Sequence, residues 1–257
     1  WDPAAADGGL DPRVLGGTDA VVNLAGAGIA DKRWTVERKA EIRNSRVQGT
    51  RALATGLAAL GQPPPVLLSG SAVGWYGDAG DRELDESAPA GPGFLAGLVR
   101  EWEAAAEPAR AAGIRVAYLR TGIVLSAGGG TLARLLPLFK AGLGAKLGPG
   151  TQYMSWISLD DHVGATRFLI GQPEVCGPVN MTAPHPVTNE ELTRELASAL
   201  HRPALLRAPT PALRLALGEM AGELLASARV LPRRLLDAGY TFRHPRLPGA
   251  LAAALSR

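Results

Sequence analysis

Residues 20–25 (AVVNLA), 66–69 (VLLS) and 114–120 (IRVAYLR) are short apolar runs separated by stretches long enough to hold helices. This alternation constrains the fold more than any other feature. Strands joined by helical crossovers lie parallel, and the helices must cover the faces of the sheet they form. Residues 33–60 read as a long helix with Ile42, Leu53, Leu57 and Leu60 among its apolar positions, closed by Gly61. In the next helix Phe94, Leu98, Trp102, Ala105 and Ala109 recur at spacings of three and four, and it ends near Gly113. A loop rich in Gly, Asp and Pro fills 77–93. The expected fold is a doubly wound α/β domain around a parallel sheet.

Beyond residue 125 the pattern loosens. A glycine turn leads into an apolar helix interrupted by Pro137. "SWISLDDHV" reads as a short strand and an acidic turn, with Asp160 or Asp161 capping the next helix. "PVTNEEL" opens another, with Thr188 as N-cap and Glu191 as its capping-box partner. The expected division is a sheet domain over 1–170 and a smaller, mostly helical part over 171–257.

Composition narrows the class. With 46% hydrophobic and 20% charged residues in 257, the chain can build a core. Cys176 is the only cysteine, so neither an internal disulfide nor a cysteine zinc site can form. The four histidines lack metal spacing, and no metal is expected. No apolar run reaches membrane-spanning length, and the opening Trp1-Asp2-Pro3 does not resemble a leader; the single cysteine makes a reducing cytoplasm the expected location. Net charge is only +3, but residues 201–257 hold nine arginines. They alternate with Leu and Pro, without interleaved aromatics. A solvated face is the favoured reading, and no nucleic-acid partner is expected.

The turn Gly26-Ala27-Gly28 after the first strand invites comparison with the dinucleotide fingerprint G-x-G-x-x-G/A. Asp31 stands in its sixth place, and no acid follows at the end of the next strand. The glycines therefore read as a cofactor-side turn, where backbone approaches a flat ligand closely, and not as a phosphate loop.

Taken in order, "DAVVNLAGAGI", "LLSGSAVGWYGD", "LRTGIVLSAGGG" and "SWISLDDHV" resemble an extended short-chain dehydrogenase/reductase. More narrowly, they resemble its atypical NAD-dependent epimerase/dehydratase-like branch. The later "RVLPRRLLDAGYTFRHPRLPGAL" is similar to the small domain appended in that branch. The resemblance implies a Rossmann-like fold and NADP(H) or NAD(H) as cofactor, with an unidentified small molecule as substrate. It also implies a strand, a G-x-x-G-x-x-G turn, a helix and a second strand ahead of the first strand read here. On that basis the sequence is expected to be a truncated copy with impaired dinucleotide binding.

The resemblance places Ser71 where such enzymes keep a Ser or Thr that bonds a substrate carbonyl or hydroxyl. Ser71 is thus the leading catalytic candidate, and Tyr76 a weaker one that otherwise shapes the pocket wall with Trp75. The family's Tyr-x-x-x-Lys pair is missing: if Glu103 matches the family's following glutamate, Leu95 and Val99 take those places. Asn23, Ala25, Gly26, Arg33 and Ser69 are the implied cofactor-side residues, joined by Arg120, Thr121, Gly122 and Ile123 after the next strand. Trp34, Arg46, Trp75 and Trp156 are candidate substrate-side residues. Arg46 stands where an asparagine is expected. It either binds an anion with its fork of donors or is an exposed helix arginine, and Trp34 is either a stacking face or core. Two functions follow: an NADP(H)-dependent oxidoreductase or epimerase-like enzyme, or a cofactor-binding or interaction protein that keeps the fold without turnover.

Overall fold

The computed structural model describes residues 15–256; the opening Trp1-Asp2-Pro3 lies outside them. Its centre is a four-stranded parallel sheet in the order Val21–Asn23, Val66–Ala72, Arg115–Thr121 and Gly177–Met181. Alternation along the strands gives each face its own core. Leu67 and Val116 meet Leu53, Ala54 and Leu57 of the helix Val36–Ala58, together with Ala106 and Ala109. Leu68, Ala117, Leu119, Val179 and Met181 meet Ala165, Leu169 and Leu235 on the other face. Helices cover both faces, as a doubly wound sheet requires.

A further core lies outside the sheet. The helices Gly130–Lys140, Asn189–Ala199 and Leu247–Leu255 enclose Leu132, Leu136, Phe139, Trp156, Leu196 and Leu251. The expected boundary at 170 follows neither core. The strand Gly177–Met181 completes the sheet from beyond it, while Leu132 and Trp156 join the outer core from before it.

Local differences from the sequence reading have physical causes. The long helix starts at Val36 because Thr35 caps it, its hydroxyl accepting from Arg38 N at 3.1 Å. It ends at Ala58 on a right-handed Ala59 cap, one turn before Gly61. The helix after residue 93 is two helices, Phe94–Ala104 and Glu107–Ala111. Pro108 sits in the first turn of the second, where its missing N–H costs least. Loop 77–93 contains the strand Glu83–Leu84, which pairs in parallel with Arg229–Val230. Pro137 does not interrupt its helix, which runs on to Lys140. Ser158, not an aspartate, caps the helix Leu159–Ile170. Asp161 is instead buried, accepting from the backbone N–H of Arg243 and His244 at 2.6 and 2.9 Å. The Thr188–Glu191 capping box is present.

Candidate active site at the carboxyl edge of the sheet

Parallel register assembles the site. Ser71 pairs with Arg120 and Arg120 with Asn180, so three neighbouring strands place polar side chains in one rank near their carboxyl ends. In open α/β sheets this is the edge that meets ligand. Glu103, on the helix Phe94–Ala104, reaches down to this rank. Ser71 Oγ donates to Glu103 Oε1 at 2.7 Å. Arg120 grips the same carboxylate with two bonds, Nε to Oε1 at 2.8 Å and Nη2 to Oε2 at 3.0 Å. Its third nitrogen donates to Tyr76 Oη at 3.2 Å, and Tyr76 donates to Asn180 Oδ1 at 2.7 Å. The Trp75 ring lies 3.9 Å from the guanidinium carbon.

The members of this chain are all buried, Arg120 to 2% exposure, so each polar bond is held at low dielectric and fixes its neighbours. Burial pushes the Tyr76 phenol above its ordinary pKa against the opposing pull of Arg120. The phenol therefore stays protonated at neutral pH and is poorly placed to act as a base. Glu86 anchors the rank from behind, accepting from Asn180 N at 2.9 Å, and burial raises its carboxyl.

A second cluster holds the turn after the first strand. Asn23 Nδ2 and Trp102 Nε1 both donate to Thr50 Oγ1 at 3.0 Å, and Ala25 N donates to Asn23 Oδ1 at 3.2 Å. Ser69 faces Asn23 across the sheet, fully buried, and its hydroxyl has no partner among the described residues. Arg46 is 8% exposed, and its Nη1 donates to Ala27 O at 2.9 Å and Ile42 O at 3.1 Å. A Cβ on Gly26 would lie 3.0 Å from the Arg46 guanidinium carbon. Glycine is needed there for the arginine to lie against the turn. Of the two readings of Arg46, the exposed helix arginine is excluded by its burial.

Several sequence candidates have other places. Arg120, expected on the cofactor side, is 2% exposed and spends all three of its nitrogens on Glu103, Tyr76 and the Glu86 carbonyl. Trp34 is core, 8% exposed, with Nε1 donating to Ile29 O at 2.9 Å and its ring edge-on to Phe94. Trp156 is fully buried in the outer core and donates to His185 O at 3.1 Å, so it is not a pocket wall. Gly122 serves packing: a Cβ there would meet Ser155 O at 2.5 Å. Ile123 packs against the outer core. Thr121 Oγ1 donates to Leu119 O and lies 3.1 Å from His162 Nε2, whose pKa burial lowers. Exposed Arg33 lies against Gly218, away from the Ser71 rank. Half-buried Trp75 donates to Ala88 O.

Leu95 stands over the turn after Ser71, 3.2 Å from where a Gly74 Cβ would be, with Val99 at 3.9 Å. Both are apolar, so neither exchanges a proton. The sequence reading gave no role to Glu103, Glu86 or Asn180. Only Glu103 left a signal, as an acid one residue after a core tryptophan on an amphipathic helix. Among the described residues no group of three or more His, Cys, Asp or Glu is arranged to hold a metal, and no helix is long and apolar enough to cross a membrane.

Residues 13–181 match the profile described as "NAD dependent epimerase/dehydratase family". The chain belongs to this family. Residues 208–254 match a second profile, a domain of unknown function, DUF1731. "Epimerase family protein Mb2239" of Mycobacterium bovis is 48% identical over 258 residues, spanning 100% of this chain and 84% of that protein. "Epimerase family protein SDR39U1 homolog, chloroplastic" of Arabidopsis thaliana is 39% identical over 93% of this chain and 69% of its own length. The crystal structure of human epimerase family protein SDR39U1 (isoform2) with NADPH superposes with a TM-score of 0.88 at 33% identity, covering 93% of this chain and 82% of that one. The resemblance in the motifs thus corresponds to family membership along both parts of the chain.

Proposed function

We propose that this family member binds NADP(H) at the carboxyl edge of its sheet and acts as an oxidoreductase or epimerase-like enzyme on a small hydroxyl- or carbonyl-bearing molecule. The observation that carries the reading is the Ser71–Glu103–Arg120 chain, set in register at that edge in a fold whose human relative was solved with NADPH. The residues present fit such a group: Ser69 keeps a buried hydroxyl without a protein partner beside Asn23, at the end of the sheet where a ribose or amide would bond. Asn23, Ala25 and Ser69 would hold it. When bound, a nicotinamide supplies a hydride donor or acceptor.

The chain's own contribution is orientation. Glu103 takes the Ser71 proton into a 2.7 Å bond, which turns the serine's lone pairs toward the ligand side. A hydroxyl substrate then donates to Ser71 Oγ and is held in one pose, while a carbonyl substrate takes the Ser71 proton once the hydroxyl turns away from Glu103. Arg120 neutralises Glu103 and keeps that carboxylate from rotating away. With Leu95 and Val99 apolar, this protein positions its substrate without the tyrosine–lysine pair, and turnover is expected to be slow.

Nicotinamide fluorescence during titration with NADPH and with NADH tests binding. NADPH absorbance across a panel of carbonyl compounds and nucleotide sugars then tests turnover. Ser71→Ala is expected to cut turnover on the order of tenfold or more and to leave NADPH affinity intact. Binding with no turnover in the wild type supports the cofactor-binding protein without catalysis. No binding of either nucleotide at millimolar concentration, by this chain or by protein extended upstream through the expected strand, glycine turn and helix, overturns both.

A further inference from the structure

Arg46 is a buried cation whose surroundings lack the partner that buried cations normally have. It lies between the Trp102 ring, 5.1 Å from its guanidinium carbon, and the backbone of Gly26. No carboxylate lies within ion-pair distance of it among the described residues. Arg38, two turns earlier on the same helix, is equally buried yet bonds Glu41 at 2.6 Å and lies 3.6 Å from Asp31. Burial and the charge of Arg38 both push the Arg46 pKa down. Left alone, such a charge opposes folding, and a leucine or methionine would fill the same space more cheaply.

The donors that remain are specific. Nη1 is used on Ala27 O and Ile42 O. Nε is buried without a partner among the described residues, and no protein acceptor is seen for Nη2. In a planar guanidinium the Nε–H and the adjacent Nη2–H point the same way and form the edge that grips an oxyanion with two bonds. Arg120 uses this same edge on Glu103. In Arg46 no described residue takes this edge.

We propose that the Nε/Nη2 edge of Arg46 is an oxyanion-binding site, taking a phosphate or carboxylate of the ligand seated beside the Gly26 turn. This rests on the reading of the carboxyl edge as a ligand site. The oxyanion has two sources, a phosphate of the nucleotide or an acidic group of the substrate.

Isothermal titration of the full chain separates them, comparing wild type with Arg46→Met and Arg46→Lys. The probes are NADPH, then inorganic phosphate and oxalate, each with and without saturating NADPH. The expected result is a loss of about tenfold or more in affinity for at least one probe in R46M. R46K, with charge but no fork, is expected to fall between. Loss on NADPH assigns the oxyanion to the nucleotide. Loss on phosphate or oxalate with NADPH binding intact assigns it to the substrate. The ligand-free melting temperature of R46M is expected to hold or rise, which a merely structural arginine would not allow. If R46M does not fold, Arg46→Gln carries the same comparison. Equal affinities for all three probes in wild type and variant overturn the site, as does a wild type that binds none of them. NADPH bound equally well by wild type and variants, with phosphate and oxalate affinities also unchanged, leaves the cofactor reading standing while the site falls. Arg46-dependent binding of phosphate without any binding of NADPH does the reverse.

Discussion

Arg120 and Arg46 are the same side chain at nearly the same burial, 2% and 8% exposed, in regions joined by the helix that carries Glu103 and Trp102. Around Arg120 every charge is answered: a carboxylate on the Nε/Nη2 edge, a phenol on Nη1 and an indole ring against its face. Around Arg46 there are two carbonyls, a ring and a glycine. The first is closed on itself and shapes the site without needing anything from outside. The second is open in chemical terms, because its best donors face no acceptor among the described residues. Burial alone therefore does not separate structural from ligand-facing charge; the completeness of the partner set does.

The sharpest way to break this comparison is to make Arg120 resemble Arg46. Glu103→Gln removes the neutralising carboxylate and leaves a buried guanidinium without it. Urea unfolding is expected to show a loss of about 3–5 kcal/mol, the range for breaking one side of a buried ion pair. A loss under about 1 kcal/mol would mean that Arg120 is wet in solution and that the two regions are alike. Tyr76→Phe is a smaller cut in the same region. It removes one donor to Asn180 Oδ1 and one acceptor for Arg120, at an expected cost of about 1–2 kcal/mol by the same measurement.

How much of this contrast was legible beforehand depends on how each residue is placed. The sheet was readable because the runs at 66–69 and 114–120 are apolar on alternate faces, and both faces are buried. Ser71 was readable because a motif ends its strand. Arg46 was visible as an arginine at an unusual place, but its burial was not, since that depends on Gly26 and Trp102 arriving from other elements. Glu86 and Asn180 were invisible for the same reason, and Glu103 showed its place on an amphipathic helix but not its partners. Their roles come from register and from contacts spanning 17 to 104 residues, which no local pattern encodes. Trp34 was left between a stacking face and core, and Trp156 was read as a pocket wall, because a large aromatic fits a ligand wall and a core equally well in sequence, and only packing decides. At Gly122 the visible demand for glycine is packing, and a glycine needed for close strand approach looks the same in sequence as one needed for a cofactor.

A milder contrast is expected from Arg46→Met in the ligand-free protein. Here no carboxylate among the described residues is left unpaired and only the carbonyls of Ala27 and Ile42 lose a donor, so stability by urea unfolding is expected to stay level or rise by up to about 1 kcal/mol. A fall comparable with that of E103Q would show that the two arginines are equivalent and that the carbonyls of Ala27 and Ile42 are partners enough.

Glu223 supplies a third, intermediate case from the C-terminal segment. Its carboxylate faces the backbone N–H of Leu95 at the start of the helix Phe94–Ala104, whose Gly93 cap, at φ +103°, offers no side chain. Burial raises its pKa above the ordinary 4.5, with the N–H bond opposing. A raised carboxyl pKa means that the fold favours the protonated form. The stability this contributes is complete below pH 4.5 and is lost as pH rises through the raised value. Glu223→Gln, which cannot ionise, is therefore expected to be less stable than or equal to wild type near pH 4 and to gain on it by pH 7. Because the group is only partly buried, the swing is screened and is expected to stay under about 1 kcal/mol. Urea midpoints of both proteins at the two pH values measure it. A difference that does not change with pH would place Glu223 with Arg120, its charge fully answered by one backbone N–H; a swing in the expected direction places it nearer Arg46, held in the fold with part of its charge unmet.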